Sequence, residues 1–193
     1  MLRPISRLAL VLACTALAGA CTQSTVSTGS PDYQMYYYPG LLNSVVKGGE
    51  MPTVILGNPF GPGKTNPDAI AAMLPHPGIA QPFNYHAVSA NDSRRSWRVI
   101  LVFNPAIAAR AESDTCIVPN EELVASGGGP ISVKAVFCAP DRWTTTVVGF
   151  GPAATGPDDP NFRQLMNAVI SQLLPTDQPT SNKADTGGLG FEP

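Results

Sequence analysis

Between Asn161 and Leu174 the apolar residues fall at Phe162, Leu165, Met166, Val169, Ile170, Leu173 and Leu174. That i, i+3, i+4, i+7 spacing lines one face of a helix and is the clearest periodic signal in the chain. Asp158 or Asp159 is placed to cap it, Pro160 suits its first turn, and Pro175 ends it. A shorter helix is predicted from Pro67 to Leu74, with Asn66 as its cap, Ile70, Met73 and Leu74 on one side, and Pro75 as its stop. Elsewhere the pattern favours strands: Tyr33 to Tyr38, Thr53 to Leu56, Trp97 to Phe103, Ile131 to Phe137 and Trp143 to Phe150. Val99 to Phe103 is continuously apolar, which predicts burial on both faces. Ile131, Val133, Ala135 and Phe137 alternate with Ser132 and Lys134, which predicts a half-exposed strand. The short, turn-rich connection Cys138 to Arg142 joins the last two strands as an antiparallel hairpin. Helices and strands do not alternate regularly, so the expected fold is α+β. It is a single antiparallel or mixed sheet of about five strands with two main helices on one face.

The N-terminus carries a different pattern. A short basic region with Arg3 and Arg7 leads into an apolar run from Leu8 to Leu17, too short to span a bilayer, and then into Leu17-Ala18-Gly19-Ala20-Cys21 followed by polar residues. Residues 1–21 resemble the signal peptide and lipobox of bacterial lipoproteins, with Ala18 where that family usually carries Leu, Val or Ile. The resemblance implies cleavage before Cys21, so that residues 1–20 leave and Cys21 becomes the acylated first residue. Two or three acyl chains hold a domain stably on a membrane, where one binds only marginally. Cys14 is a poorer anchor, because cleavage there would leave only about six apolar residues against the usual ~7–15. Thr22 stands where an Asp signals inner-membrane retention in enteric-type lipoproteins, so the resemblance implies the periplasmic face of the outer membrane.

Residues 22–31 are Ser/Thr-rich and read as a tether that holds the domain within ~35 Å of the bilayer at ~3.3 Å per residue. Residues 176–193 have no apolar periodicity and read as a disordered tail. Residues 32–175 remain, enough for one domain. The whole chain is 44% apolar and only 13% charged, with 18 Gly and 20 Pro, which fits one turn-rich globular domain without internal repeats. Loss of Arg3 and Arg7 leaves 10 basic residues (12 minus 2) against 14 acidic ones, a net charge of −4. With no basic excess to neutralise phosphates, nucleic acid is set aside as a partner.

Four Cys are present. Cys14 leaves with the signal and Cys21 takes lipid, so Cys116 and Cys138 remain in an export compartment that oxidises thiols and are expected to pair. Closing that loop contributes about 3 kcal/mol in the chain-entropy description. A metal site built from both thiolates with His76 and His86 lacks any Cys-x-x-Cys or His-x-x-x-His spacing, and neither a metal nor a cofactor is expected.

Candidate chemistry is sparse. Gly57-Asn58-Pro59-Phe60-Gly61-Pro62-Gly63-Lys64-Thr65 ends like a P-loop, but Asn58 occupies a required Gly position and Pro59 and Pro62 remove backbone N–H groups from the cradle. No Gly-x-Ser-x-Gly elbow occurs, and the two His residues sit in a Pro-rich turn (His76) and a possible strand (His86). Glu121-Glu122 point opposite ways if extended, and Asp158-Asp159 already serve as a cap. Gly127 to Gly129 is a flexible loop. Arg94, Arg95, Trp97 and Arg98 form the main basic cluster, a candidate grip for a phosphate or carboxylate on lipid or cell-wall polymer. Tyr36, Tyr37 and Tyr38 are a candidate aromatic surface for sugars. No residue is assigned a catalytic role. The expected function is a membrane-anchored envelope lipoprotein that binds an envelope protein, cell-wall polymer or lipid, or assists assembly. The alternative is an envelope hydrolase or carbohydrate-active enzyme in which the fold brings His86 or His76 within ~3.2 Å of a carboxylate.

Overall fold

The computed structural model describes residues 25–34, 37–38, 40–46, 48–61, 66–78, 82–91, 96–105, 112–117, 129–140 and 142–176. In chain order the elements are β1 (Ser27–Thr28), β2 (Asp32–Tyr33), α1 (Leu41–Val45), β3 (Glu50–Leu56), α2 (Pro67–Ala72), β4 (Asn84–Ala87), β5 (Arg98–Phe103), α3 (Glu112–Ile117), β6 (Ile131–Cys138), β7 (Trp143–Gly151) and α4 (Pro160–Leu173). All seven strands form one mixed sheet in the order β1-β7-β6-β5-β3-β4, with β2 also paired to β7. β3 lies parallel to both β4 and β5, and every other pairing is antiparallel.

The mixed α/β class agrees with the sequence pattern, and the counts exceed it: seven strands and four helices replace about five and two. β1 falls inside the expected tether. It is two residues of backbone pairing, Ser27 with Phe150 and Thr28 with Gly149, and so short a strand leaves no alternation to detect. The strand expected from Tyr33 to Tyr38 contracts to β2, after which Tyr37 is buried and Tyr38 exposed. The β6–β7 hairpin forms as expected, from Ile131 opposite Gly151 to Cys138 opposite Trp143, with a register irregularity at Phe137/Cys138.

Side-chain parity along β5 divides the interior into two cores. Val99, Leu101 and Phe103 face the larger one, with Val133, Ala135 and Phe137 of β6 and Val147 of β7. α4 closes it with Phe162, Leu165, Met166, Val169, Ile170 and Leu173, the predicted stripe. Each such buried side chain contributes about 1.5–3 kcal/mol relative to exposure. α1 and α2 add Leu41, Leu42, Ile70 and Ala71 to the same side. Ile100 and Val102 face the smaller core with Val54, Leu56, Val136, Cys138 and Cys116 of α3. The two expected helices, α2 and α4, thus share one face, and α3, which the pattern did not predict, packs on the other. β6 is also buried more than its alternation implied: Lys134 is only 8% exposed, on the side over which α3 packs.

Helix ends follow local chemistry. Asp159 caps α4 by accepting from the Asn161 N–H at 2.9 Å and ties down the preceding turn by accepting from the Thr155 N–H, also at 2.9 Å; the Thr155 and Asn161 bonds hold its carboxyl below the usual carboxylate range. Asn66 caps α2 by accepting from the Ala69 N–H at 2.8 Å. The far end of α4 is fastened by two phenols. Tyr33 donates to the Gln172 carbonyl and Tyr37 to the Pro175 carbonyl, each at 2.8 Å, and burial raises both hydroxyl pKa values.

α4 reaches the sheet because β7 offers it glycines. A Cβ on Gly149 would stand 2.4 Å from Val169 Cγ2 and 3.0 Å from Leu165 Cδ1, whereas at Gly151 the nearest atom, Leu165 Cδ2, lies at 3.2 Å. Gly149→Ala should destabilise the domain by about 1–3 kcal/mol, because the stiff Val169 must shift together with its helix. Gly151→Ala should cost less, and urea unfolding of the two variants side by side checks the ranking.

Candidate functional site

The smaller core carries the chemistry that the sequence singled out. Cys116 of α3 and Cys138 at the end of β6 are joined by a disulfide with Cα atoms 5.8 Å apart, both residues fully buried, as expected from the cysteine count. Beside it lies Arg98, the first residue of β5 and register partner of Cys138, with 0% exposure. Its Nη1 donates to the Ser96 carbonyl at 2.9 Å and, at longer range, to the Pro140 (3.4 Å) and Ala139 (3.5 Å) carbonyls. Its Nη2 donates to the Cys116 carbonyl. The guanidinium thus binds the backbone on both sides of the disulfide through Nη1 and Nη2, which gives a buried cation carbonyl acceptors.

Two members of the basic cluster, Trp97 and Arg98, lie among the described residues. Trp97 packs on the other side of the sheet, its ring 5.3 Å from that of Phe137 in the larger core. Arg94 and Arg95 lie outside the described residues, as do Cys21, Lys64, Tyr36, Glu121, Glu122, Gly127 and Gly128. In the P-loop-like segment, Asn58 accepts from the Phe60 N–H at 2.9 Å in an Asx turn, and Gly57 and Gly61 take left-handed φ values of 80° and 89°. Phe60 is buried against Phe162 with ring centres 4.8 Å apart, so this stretch anchors a strand-to-helix turn to the core.

The histidines occupy separate places. His76 is exposed, stacked 6.4 Å from Tyr85 and edge-on to Phe83, at a recess of about 310 Å³ between residues 75–78 and the end of α4. None of the described residues lining that recess is acidic. His86 on β4 faces Glu50 with Nδ1 3.8 Å from Oε2, the imidazole half-buried and the carboxylate exposed. That is an ion-pair distance at a sheet edge, longer than the ~3.2 Å contact that the hydrolase alternative specifies.

A larger cavity of about 580 Å³ sits at the carboxyl ends of β3 and β4, walled by Val54, Leu56, Val88 and Pro67, with Asp68 and Asn91 at its polar side. Ligands of open parallel sheets bind in this position, beyond the carboxyl ends of the strands. A carboxylate and an amide beside an aliphatic wall can accept hydrogen bonds from the hydroxyl or amino groups of a small molecule. The sequence reading did not find this cavity. Its one signal, a strand–helix–strand unit from Glu50 to Ala87, was obscured because β4 is only four residues long. Among the described residues no group of three His, Cys, Asp or Glu is placed to hold a metal ion.

No protein-family model matches the chain, and no curated protein matches it. Among solved structures, a single-substitution variant of the PelC dodecamer from Paraburkholderia phytofirmans is similar at 14% identity. That alignment covers 78% of this chain and 98% of the other, with a TM-score of 0.38. A further PelC dodecamer structure from the same organism gives 10% identity, 81% and 99% coverage, and a TM-score of 0.37. A likeness this low carries no inference about role.

Two expectations follow from the smaller core. Replacing both Cys116 and Cys138 by Ala should lower stability by about 3 kcal/mol, from the loop released in the unfolded chain. Arg98→Met should cost a similar amount, about 3 kcal/mol, by leaving buried carbonyls without their charged donor. Because disulfide and guanidinium hold the same backbone, the combined variant should lose less than the sum, a coupling that a double-mutant cycle in urea reads directly.

Proposed function

We propose that this chain is an exported, lipid-anchored envelope protein whose domain acts as a binding or assembly accessory. The observation that carries the reading is the buried Cys116–Cys138 disulfide, a bond of the kind that persists in oxidising compartments. It stands in a chain whose first 21 residues resemble a lipoprotein signal, so the covalent chemistry of the domain and the address at its N-terminus agree. In this reading Cys21 carries the acyl groups, and Thr22 directs the protein to the periplasmic face of the outer membrane. In this reading the lipid supplies the attachment; among the described residues no helix is long and apolar enough to cross a membrane. The cavity at the ends of β3 and β4 supports a binding role, with a small polar ligand or a segment of an envelope partner as its occupant.

Intact-mass analysis of protein extracted from membranes should show a mature chain beginning at an acylated Cys21, and Cys21→Ser should move the protein out of the membrane fraction. A mature chain that begins elsewhere and carries no lipid would refute the anchor. Crosslinking in native cells should then enrich a discrete set of envelope proteins with the anchored form and not with Cys21→Ser, and enrichment of none would remove the assembly role.

A further inference from the structure

The first strand of the domain fixes which way the domain faces. β1 runs antiparallel to β7, with Ser27 opposite Phe150, so the chain preceding Ser27 leaves the sheet toward the carboxyl end of β7 at Gly151. Parallel and antiparallel registers across the sheet place the carboxyl ends of β3, β4 and β5 at that same end. Cys21 is six residues before Ser27. Even fully extended, six residues reach only ~20 Å. The opposite end of the sheet, where Glu50 and Trp143 begin their strands, lies a further ~24 Å along β7 from Phe150.

Phe150 is one of three large apolar side chains exposed among the described residues, at 51%. Of the three, it is the one that stands directly across from the strand on which the tether arrives. Val148, two residues earlier on the same face, is half-buried beside it. An aromatic ring held beside a lipid anchor meets the bilayer at a high effective concentration, so a contact too weak to bind alone becomes populated. An apolar ring such as that of Phe buries at the boundary between headgroups and acyl chains.

Resting on the lipid-anchor reading above, we infer that Phe150 inserts into the interface of the bilayer that holds Cys21, and that the sheet end formed by the carboxyl termini of β3, β4, β5 and β7 faces the membrane. The cavity at the ends of β3 and β4 then opens on the lipid side, and the Glu50 end points into the surrounding compartment.

The test uses the full lipidated protein carrying Phe150→Cys or, separately, Glu50→Cys, each labelled with an environment-sensitive dye. Both are bound to vesicles of phosphatidylethanolamine and phosphatidylglycerol containing a nitroxide lipid. The inference expects quenching at position 150 to exceed that at position 50 by about fivefold or more, the contrast between a dye at the interface and one held ~24 Å farther from it. Inserting ten Gly/Ser residues after Thr22 should reduce the contrast by freeing the domain. Protein that floats with the vesicles yet shows equal quenching at both positions would overturn the inference while leaving the anchor standing. A dye at position 150 that is shielded from water but not quenched by lipid would overturn it in favour of a protein partner on this face. Protein that does not float at all would refute the anchor and the inference with it.

Discussion

The structure depends on one constraint: β5 is buried along its entire length. Six consecutive residues, Arg98 to Phe103, have both faces of the strand covered, so the chain must supply two separate lids. On one side the solution is ordinary amphipathic packing by α4, fourteen residues long and capped at its start. On the other side the lid is α3, only six residues long, and a helix so short cannot persist by its own hydrogen bonds. The disulfide and the Arg98 guanidinium make up that deficit. Both tie the Cys116 end of α3 to the sheet, one covalently and one through backbone carbonyls. A cysteine pair read as a marker of compartment is thus also the fastening of the weaker core.

This explains which parts of the molecule were legible in the sequence. α4, β5 and the β6–β7 hairpin are each long enough to express a period, and the pattern gave their type correctly. α2 was visible through its cap Asn66, Pro67, the short apolar side of Ile70, Met73 and Leu74 and the stop at Pro75, because capping chemistry is local. The cysteine pairing followed from arithmetic. What remained hidden was set by partners distant in sequence. β1 has no pattern of its own and exists because β7 offers it an edge. Arg98 stood out as part of a basic cluster that could grip an anion, since nothing local announces that carbonyls from Cys116 and from residues 139–140 will converge on it. Lys134 misled in the same way: alternation reports polarity and not coverage, and α3 covers that face.

The same distinction bears on the candidate site. Of the residues that drew attention by type, His76 and His86 stand apart, one at a recess beside α4 and the other opposite Glu50. Trp97, which immediately precedes β5, packs against the larger core, while Arg98, the first residue of β5, lies beside the disulfide in the smaller one. The cavity at the ends of β3 and β4 is lined mainly by residues with little chemical character, and only the parallel topology brings them together. Position in the fold here carries more functional information than residue type.

Topology also changes what the tether means. As a stretch of Ser and Thr, residues 22–31 read as slack that leaves the orientation of the domain free. Once Ser27 and Thr28 are fixed to the edge of β7, only the residues between Cys21 and Ser27 can supply slack, and the reach falls from ~35 Å to ~20 Å. That distance is shorter than the sheet is long, so an anchor at Cys21 would hold one end of the sheet near the bilayer and exclude the other. Two hydrogen-bonded residues with no apolar content would in this way convert a flexible leash into an oriented mount, and the exposed ring of Phe150 occupies the position where that orientation brings the sheet closest to lipid.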